Sequence, residues 1–148
     1  MPLPELDSHG DLLLGVHRAS LDEVLDRFGH GTPQRELVTV RLVRVHELAS
    51  GTGKLERFII FGSYVTAKPN PNDVDIILIM RDDFRRKDCP FEAEPLFDHL
   101  PAQQEFGASV FAIRPSQILL ETVDSFIRHW QIKRDKSRRG IVEVSHGE

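Results

Sequence analysis

Apolar residues recur in the first third of the chain at the spacing of α-helices. Ser20 and Glu23 have the spacing of a capping box, in which each side chain accepts from the other residue's backbone N–H, and they predict a helix over 21–28. A threonine followed by a proline at 32–33 is typical of a second helix start. Apolar positions then leave arginines and glutamates on the opposite face, which predicts a helix over 33–50.

Four later runs, rich in β-branched and aromatic residues, predict strands. They cover residues 57–61 (RFIIF), 73–80 (DVDIILIM), 107–113 (GASVFAI) and 141–144 (IVEV). A short helix over 91–100 is interrupted by Pro95, and another begins at Pro115, with apolar residues at helical spacing up to Trp130. Helices and strands alternate around a small mixed sheet, so the predicted fold class is α/β or α+β.

The length of 148 residues fits one domain with one core, and we expect 1–148 to form it, with 1–15 as a flexible N-terminal segment. The longest apolar run, 76–80, is too short to cross a membrane, and the N-terminus lacks the pattern of a secretory signal. Cys89 is the only cysteine, which excludes an internal disulfide and fits a reducing compartment. We therefore expect a cytoplasmic protein without membrane contact.

Charge is unevenly distributed along the chain. The net charge of −4 argues against a general nucleic-acid binder, but residues 128–139 carry six basic side chains against the single acid Asp135. This basic stretch has two interpretations, a solvated helix end or a local patch that attracts a polyanion. Trp130, within it, is expected to belong to the core, with a base-stacking surface as the alternative.

The chemically informative pattern is a Gly-Ser pair at 62–63, followed after nine residues by Asp73 and Asp75. Because alternate side chains of a strand share a face, the two aspartates are expected to project together at the rim of the sheet, about 7 Å apart. Such a pair suits one or two Mg²⁺ (or Mn²⁺) ions, which take oxygen ligands and substrate phosphates. The simpler interpretation is a strand that enters from solvent with both acids exposed.

Gly62, Ser63 and Lys68 form the predicted phosphate-binding part. A glycine at the end of a strand lets the backbone approach a ligand closely. Ser63 would begin a helical turn over 63–67, whose hydroxyl and free N–H groups can hold a phosphate. Lys68 lies in the same connection and would neutralise a β- or γ-phosphate; the alternative is a solvated loop lysine.

The pattern apolar-Gly-Ser, then Asp-apolar-Asp-apolar, resembles the signature of the polymerase β-type nucleotidyltransferase superfamily. The chain is similar to the small, single-domain ("minimal") nucleotidyltransferases of bacteria and archaea. A wider likeness, over 17–21, 61–74, 129–131 and 140–142, resembles a less characterised bacterial branch. The resemblance implies a nucleotidyltransferase-like domain that transfers a nucleoside monophosphate from ATP, or another nucleoside triphosphate, to an acceptor with Mg²⁺.

By this resemblance, Gly62 and Ser63 would hold the triphosphate, and Asp73 and Asp75 would be the catalytic carboxylates that ligate the metal. Members normally carry a third carboxylate on a later strand, which assists deprotonation of the acceptor hydroxyl. This sequence departs from that pattern, because Ser109 stands where the third acid is expected.

Glu105 and Glu143 are the remaining candidates for the third carboxylate. Loss of that acid puts transfer in doubt but not nucleotide binding. A catalytically degenerate relative, which binds a nucleotide or a partner as a regulator, is therefore an alternative. A third hypothesis is an antitoxin whose acidic N-terminal segment covers a basic partner.

The resemblance also implies a class of partner. Small proteins of this superfamily occur in toxin–antitoxin or phage-defence pairs, where they modify a tRNA or a partner protein. The expected acceptor is therefore RNA or a protein, and the protein is expected to act as a homo-oligomer or with a partner chain.

Overall fold

The computed structural model describes residues 3–133 and 135–145, which contain a mixed five-stranded sheet. Its strands are β1 (Val16–Ala19), β2 (Leu55–Phe61), β3 (Asp75–Met80), β4 (Ser109–Ile113) and β5 (Ile141–Val144). They lie side by side in the order β1-β5-β2-β3-β4. The pairs β1–β5 and β3–β4 are parallel, whereas β2 is antiparallel to both of its neighbours. Together with the helices, this sheet confirms the predicted α/β or α+β class.

In the described part of the chain, the α-helices all lie between strands along the sequence. They are α1 (Leu21–Phe28), α2 (Pro33–Gly51), α3 (His99–Phe106) and α4 (Val123–His129). The start of α1 is the predicted capping box: Ser20 Oγ accepts from the N–H of Glu23 at 3.1 Å, and Glu23 Oε1 accepts from the N–H of Ser20 at 3.2 Å. At α2, Thr32 Oγ1 accepts from the N–H of Arg35 at 3.1 Å. Both N-terminal helix predictions are confirmed.

Helices cover both faces of the sheet, which is why its central strands are apolar on both sides. Residues of α1, α2 and α3 share one core with strand residues such as Phe58. On the other face, Ile127 of α4 packs in a smaller cluster with Ile59 and Ile77. Because strand side chains alternate, Asp75 points to the same face as Ile77, the face that α4 covers.

The prediction of a helix that begins at Pro115 is wrong for the first half of that helix. A single 3₁₀ turn, Pro115–Gln117, ends there, and Leu120 has a left-handed backbone with φ 70°. α4 begins only after Thr122, whose Oγ1 accepts from the N–H of Ser125 at 3.0 Å. The apolar spacing that predicted one long helix therefore runs across a loop, and the threonine cap fixes the true start.

Two elements lie outside the sequence predictions. β1 is only four residues long and has no apolar alternation that would distinguish it from a loop; its partner is β5. α3 follows a 3₁₀ helix over Phe91–Phe97 that contains Pro95. The short helix predicted over 91–100 thus corresponds to this 3₁₀ helix and only the first residues of α3.

The N-terminal segment is attached to the domain by side-chain and backbone contacts. Leu3 and Leu12 lie in the core, and the backbone carbonyl of Leu12 accepts from the N–H of Gly140 at 2.8 Å. Gly10 O likewise accepts from the N–H of Ala67 at 2.9 Å. Within the described residues, no helix is long and apolar enough to cross a membrane.

Candidate functional site

The end of β2 and the beginning of β3 lie side by side at one end of the sheet's strands. Phe61, the last residue of β2, pairs with Asp75, the first residue of β3. Asp75 also pairs with Ser109, the first residue of β4, and Gly62 directly follows Phe61. Gly62, Asp75 and Ser109 are therefore neighbours. The motif predicted this for Gly62 and Asp75, and the resemblance for Ser109.

Gly62 is required by two features of its surroundings. Its backbone has φ 79° and ψ −164°, a region that residues with a side chain essentially do not enter. A Cβ atom at this position would overlap Oδ2 of Asp75. The missing side chain therefore admits the Asp75 carboxylate, whereas the sequence suggested that it admits a ligand.

We expect Gly62→Ala to lower the free energy of unfolding by about 1–3 kcal/mol, because alanine pays the backbone cost and displaces the carboxylate. Urea denaturation measures the change. Gly51→Ala is the matched control, since Gly51 ends α2 and a Cβ there has no neighbour within 4 Å. Equal stabilities of the two variants would contradict the contact with Asp75.

Ser63 begins a 3₁₀ turn, Ser63–Val65, which confirms a helical turn at this point although it is shorter than predicted. The turn is anchored to the core because Tyr64 and Val65 are fully buried. Ser63 O accepts from the Thr66 hydroxyl at 2.6 Å and from its N–H at 3.2 Å. The half-buried Ser63 is thereby held next to Gly62 at the edge of the sheet.

Arg35, on α2, organises the whole connection and was not among the predicted site residues. Its guanidinium donates to the carbonyls of Tyr64 (2.9 Å), Thr66 (2.5 Å), Lys68 (2.7 and 3.1 Å) and Phe28 (2.9 Å). The side chain is buried, and this burial lowers the pKa of Arg35. Because its partners are carbonyls rather than a carboxylate, the arginine works as a clamp on the backbone that carries Ser63.

Lys68 is not brought to the aspartates by this arrangement. Its residue is exposed, and its backbone carbonyl is the part that Arg35 binds. The side chain does not line the cleft that contains Asp75. A phosphate contact of Lys68 stays a prediction, and the geometry adds no support to it.

Asp73 lies just before β3, so the prediction that the strand begins at Asp73 is wrong by two residues. Its Oδ2 accepts from the Ser109 hydroxyl at 3.1 Å, and Val74 O accepts from the N–H of Ser109 at 3.0 Å. Ser109 therefore contacts Asp73 while it pairs with Asp75. The serine occupies the place beside the two aspartates where the third acid was expected.

Glu143, one of the two alternatives for the third carboxylate, does not lie at this place. Glu143 is nearly buried on β5, two strands and thus about 10 Å from β3, and binds Arg57 at 2.7 and 3.0 Å. This bond is the main reason why the pKa of Arg57 is raised. Glu105 is exposed on α3. Among the described residues, no three His, Cys, Asp or Glu side chains are grouped to hold a metal ion.

A cleft of about 650 Å³ opens beside Asp75 and Ser109. Its wall is aromatic: the ring centroids of Phe61 and Phe111 lie 4.7 and 5.1 Å from that of Trp130. His99 stacks on Phe111 at 4.7 Å with an interplanar angle of 22°. Trp130 is half-buried, so it both packs in the cluster and faces the cleft.

Lys133 and Arg139 add positive charge to the same cleft. Both are held by the buried Asp11, whose carboxylate lies 3.2 Å from Lys133 Nζ and 3.4 Å from an Arg139 guanidinium nitrogen. Two members of the basic stretch therefore line the same cleft as Asp75, whereas Lys136 and Arg138 are exposed. Arg134, which the basic patch included, lies outside the described residues.

The family comparison covers almost the whole chain. The model of a family of unknown function, DUF6932, matches residues 4–145. The chain belongs to this family. The match includes the N-terminal segment with Asp11 and all five strands, so both walls of the cleft lie within the DUF6932 domain. Neither the curated proteins nor the solved structures include a match to the chain.

Proposed function

We propose that this protein is a Mg²⁺-dependent nucleotidyltransferase, which transfers a nucleoside monophosphate from ATP or another nucleoside triphosphate to an acceptor hydroxyl. The observation that carries the proposal is that Gly62, Asp75 and Ser109 line one cleft, with Asp73 in contact with Ser109. The volume of the cleft lies within the range of small-molecule sites. Its aromatic wall suits a nucleobase, and its cations suit phosphates.

Asp73 and Asp75 fit a magnesium ion that arrives with the nucleotide. Mg²⁺ is usually held by one or two carboxylates and completes its shell with water and substrate phosphates. Asp73 accepts one hydrogen bond from Ser109, and a carboxylate has about four lone-pair positions, so it can still ligate. When bound, the ion would neutralise charge on the phosphates during transfer.

The remaining residues would bind and orient the substrate. Lys133 and Arg139, which line the cleft, would offset the charge of the phosphates. Ser63 does not line the cleft but directly follows Gly62, which does, and its turn would hold the terminal phosphates. The acceptor oxygen would attack the α-phosphorus as the bond to the pyrophosphate oxygen breaks. Catalysis of this type depends on positioning and on charge stabilisation, both of which a prebuilt cleft supplies.

Nucleotide binding without transfer is the second candidate function. It is favoured by Ser109, because a hydroxyl that donates to Asp73 cannot take the acceptor's proton as a carboxylate would. In that case the protein would act as a regulator or antitoxin that senses a nucleotide or binds a partner chain. The acceptor under the first proposal would be RNA, such as tRNA, or a partner protein in a toxin–antitoxin or defence pair.

We expect Mg²⁺-ATP at a hundred times its dissociation constant to stabilise the protein by about 2.7 kcal/mol, which raises Tm by about 5–10 °C. Asp73→Asn/Asp75→Asn should abolish the rise, because the metal and its nucleotide lose their ligands. Thermal unfolding with ATP, GTP, CTP and UTP measures it. Asp26→Asn, which changes an exposed acid of α1 that does not line the cleft, should keep the full rise.

No rise with any of the four nucleotides would contradict the transferase and the nucleotide-sensing regulator, and would favour a regulator that binds a partner chain. Transfer of label from α-³²P-ATP to RNA or protein then separates the two. A rise accompanied by transfer supports the enzyme, and a rise without transfer supports the nucleotide-binding regulator.

A further inference from the structure

A second cleft, of about 600 Å³, lies at the opposite end of β3 and β4 from the aspartates. Met80 and Ile113, the last residues of these two parallel strands, line it. At about 3.3 Å per residue, the length of β3 separates it from Asp75 by about 16 Å. Ligands of open α/β sheets commonly bind outside the carboxyl ends of parallel strands, which is where this cleft lies.

The floor of the second cleft is apolar. Phe97, Ala112 and Ile113 are partly exposed in it, above the buried Met80 and Phe84. The rings of Phe84 and Phe97 lie 4.6 Å apart, so the floor is packed rather than open. An apolar or flat group would therefore bury surface there.

The rim of the same cleft is strongly basic. Arg85, Arg86, Lys87 and Arg114 line it, and no acidic residue does. Arg86 is committed to two acids, Glu94 at 2.6 Å and Asp98 at 2.8 Å. In the described part of the chain, the cationic groups of the other three have no carboxylate oxygen within 4.0 Å. The rim thus carries three cations without an ion pair, although the Asp82 carboxylate lies close enough to Arg114 for an electrostatic interaction.

The rim is also built in advance of any ligand. Asp82 joins its two halves, because its carboxylate accepts from the N–H of Ser116 at 2.8 Å and its carbonyl lies 3.4 Å from the Arg114 guanidinium. The hydrogen bond from the N–H of Ser116 is the main cause of the lowered pKa of Asp82. Lys54 anchors the neighbouring Asp83 at 2.7 Å. The part of the rim that carries Arg114 is held in this way and loses little conformational freedom on binding.

We propose that this second cleft binds an organic phosphate, a ligand with an apolar or aromatic body and a phosphate group. The apolar floor takes the body, and Arg85, Lys87 and Arg114 take the phosphate. Three cations favour a dianion over a single carboxylate, and the guanidinium fork matches phosphate oxygens. This site is independent of the proposed nucleotidyl transfer and does not need Asp73 or Asp75.

The test uses a fluorescent AMP analogue, N-methylanthraniloyl-AMP, in EDTA and with Asp75→Asn protein, so that the first cleft does not contribute through a metal. We expect binding to this protein and at least a tenfold weaker affinity when Arg85→Ala and Arg114→Ala are added. Arg44→Ala, which removes an exposed arginine of α2, is the matched control and should bind normally. Circular dichroism checks that each variant is folded.

Competition identifies the class of ligand. We expect inorganic phosphate and octanoate each to compete at least tenfold more weakly than AMP, since each supplies only half of the recognised chemistry. A hexameric RNA that competes better than AMP would assign the phosphate to a nucleic-acid strand, and one that competes no better would assign it to a free small molecule. Undiminished binding to the double-arginine variant, or equal competition by inorganic phosphate and AMP, would overturn the proposal.

Discussion

Replacing Arg35 with alanine is expected to lower the free energy of unfolding by about 3–4 kcal/mol, the largest stability change we predict. The guanidinium donates to four buried or partly buried carbonyls. A hydrogen bond from a charged donor contributes about 1.5–3 kcal/mol, and water that reaches some of the freed carbonyls recovers part of the summed loss. The carbonyls of Tyr64 and Thr66 would be left unsatisfied in the interior. Urea denaturation of the variant measures the loss.

Two further substitutions separate the effect of the Arg35 hydrogen bonds from the effect of its positive charge. Arg35→Lys keeps the charge but offers three donors without the planar fork, so an intermediate loss is expected. Arg44→Ala, on the exposed side of the same helix, should change stability by less than about 0.5 kcal/mol. If Arg35→Ala were as stable as Arg44→Ala, the clamp would have no energetic role.

Ser109→Asp is expected to have the largest effect on activity. It places a third carboxylate beside Asp73 and Asp75, where the parallel pairing of β3 and β4 holds the serine. A positioned general base contributes about 10²–10⁴-fold to a rate, so transfer from the nucleoside triphosphate should rise within this range. Incorporation of label from α-³²P-ATP into the acceptor measures it.

The same variant also tests metal binding, and this second test does not need the acceptor to be known. Without Mg²⁺, three close carboxylates repel each other, so Ser109→Asp should unfold at a lower temperature than the uncharged Ser109→Asn. With Mg²⁺ the order should reverse, because the added oxygen ligand strengthens metal binding. A Ser109→Asp protein whose Tm does not respond to Mg²⁺ would show that these side chains do not form a metal site.

The elements with local signals were predictable from the sequence. The capping box at Ser20 and the threonine at Thr32 involve residues three positions apart, and both were read correctly. The buried strands β2 and β3 carry continuous apolar runs, which burial on both faces demands. β1 was not predicted because it has only four residues, and its partner β5 lies near the other end of the chain.

The candidate site likewise contains residues that were predictable from the sequence and residues that were not. The strand–Gly-Ser–loop–strand pattern predicted that Gly62 lies beside Asp75, and the resemblance predicted the position of Ser109. Arg35 and Asp11 gave no such signal. Arg35 binds carbonyls 29–33 residues away, and Asp11 binds cations 122 and 128 residues away, so both look like surface charges in the sequence.

The position of β5 in the sheet has a consequence for how the chain folds during synthesis. β5 lies between β1 and β2, although it is made after both of them. Until it leaves the ribosome, β1 has no strand beside it, and β2 presents an open edge of unpaired backbone groups. Pairings between distant segments form slowly and leave such edges exposed to other chains. A nascent chain that stalls before residue 141 would therefore be prone to aggregate, with nearly all of its apolar core already synthesised.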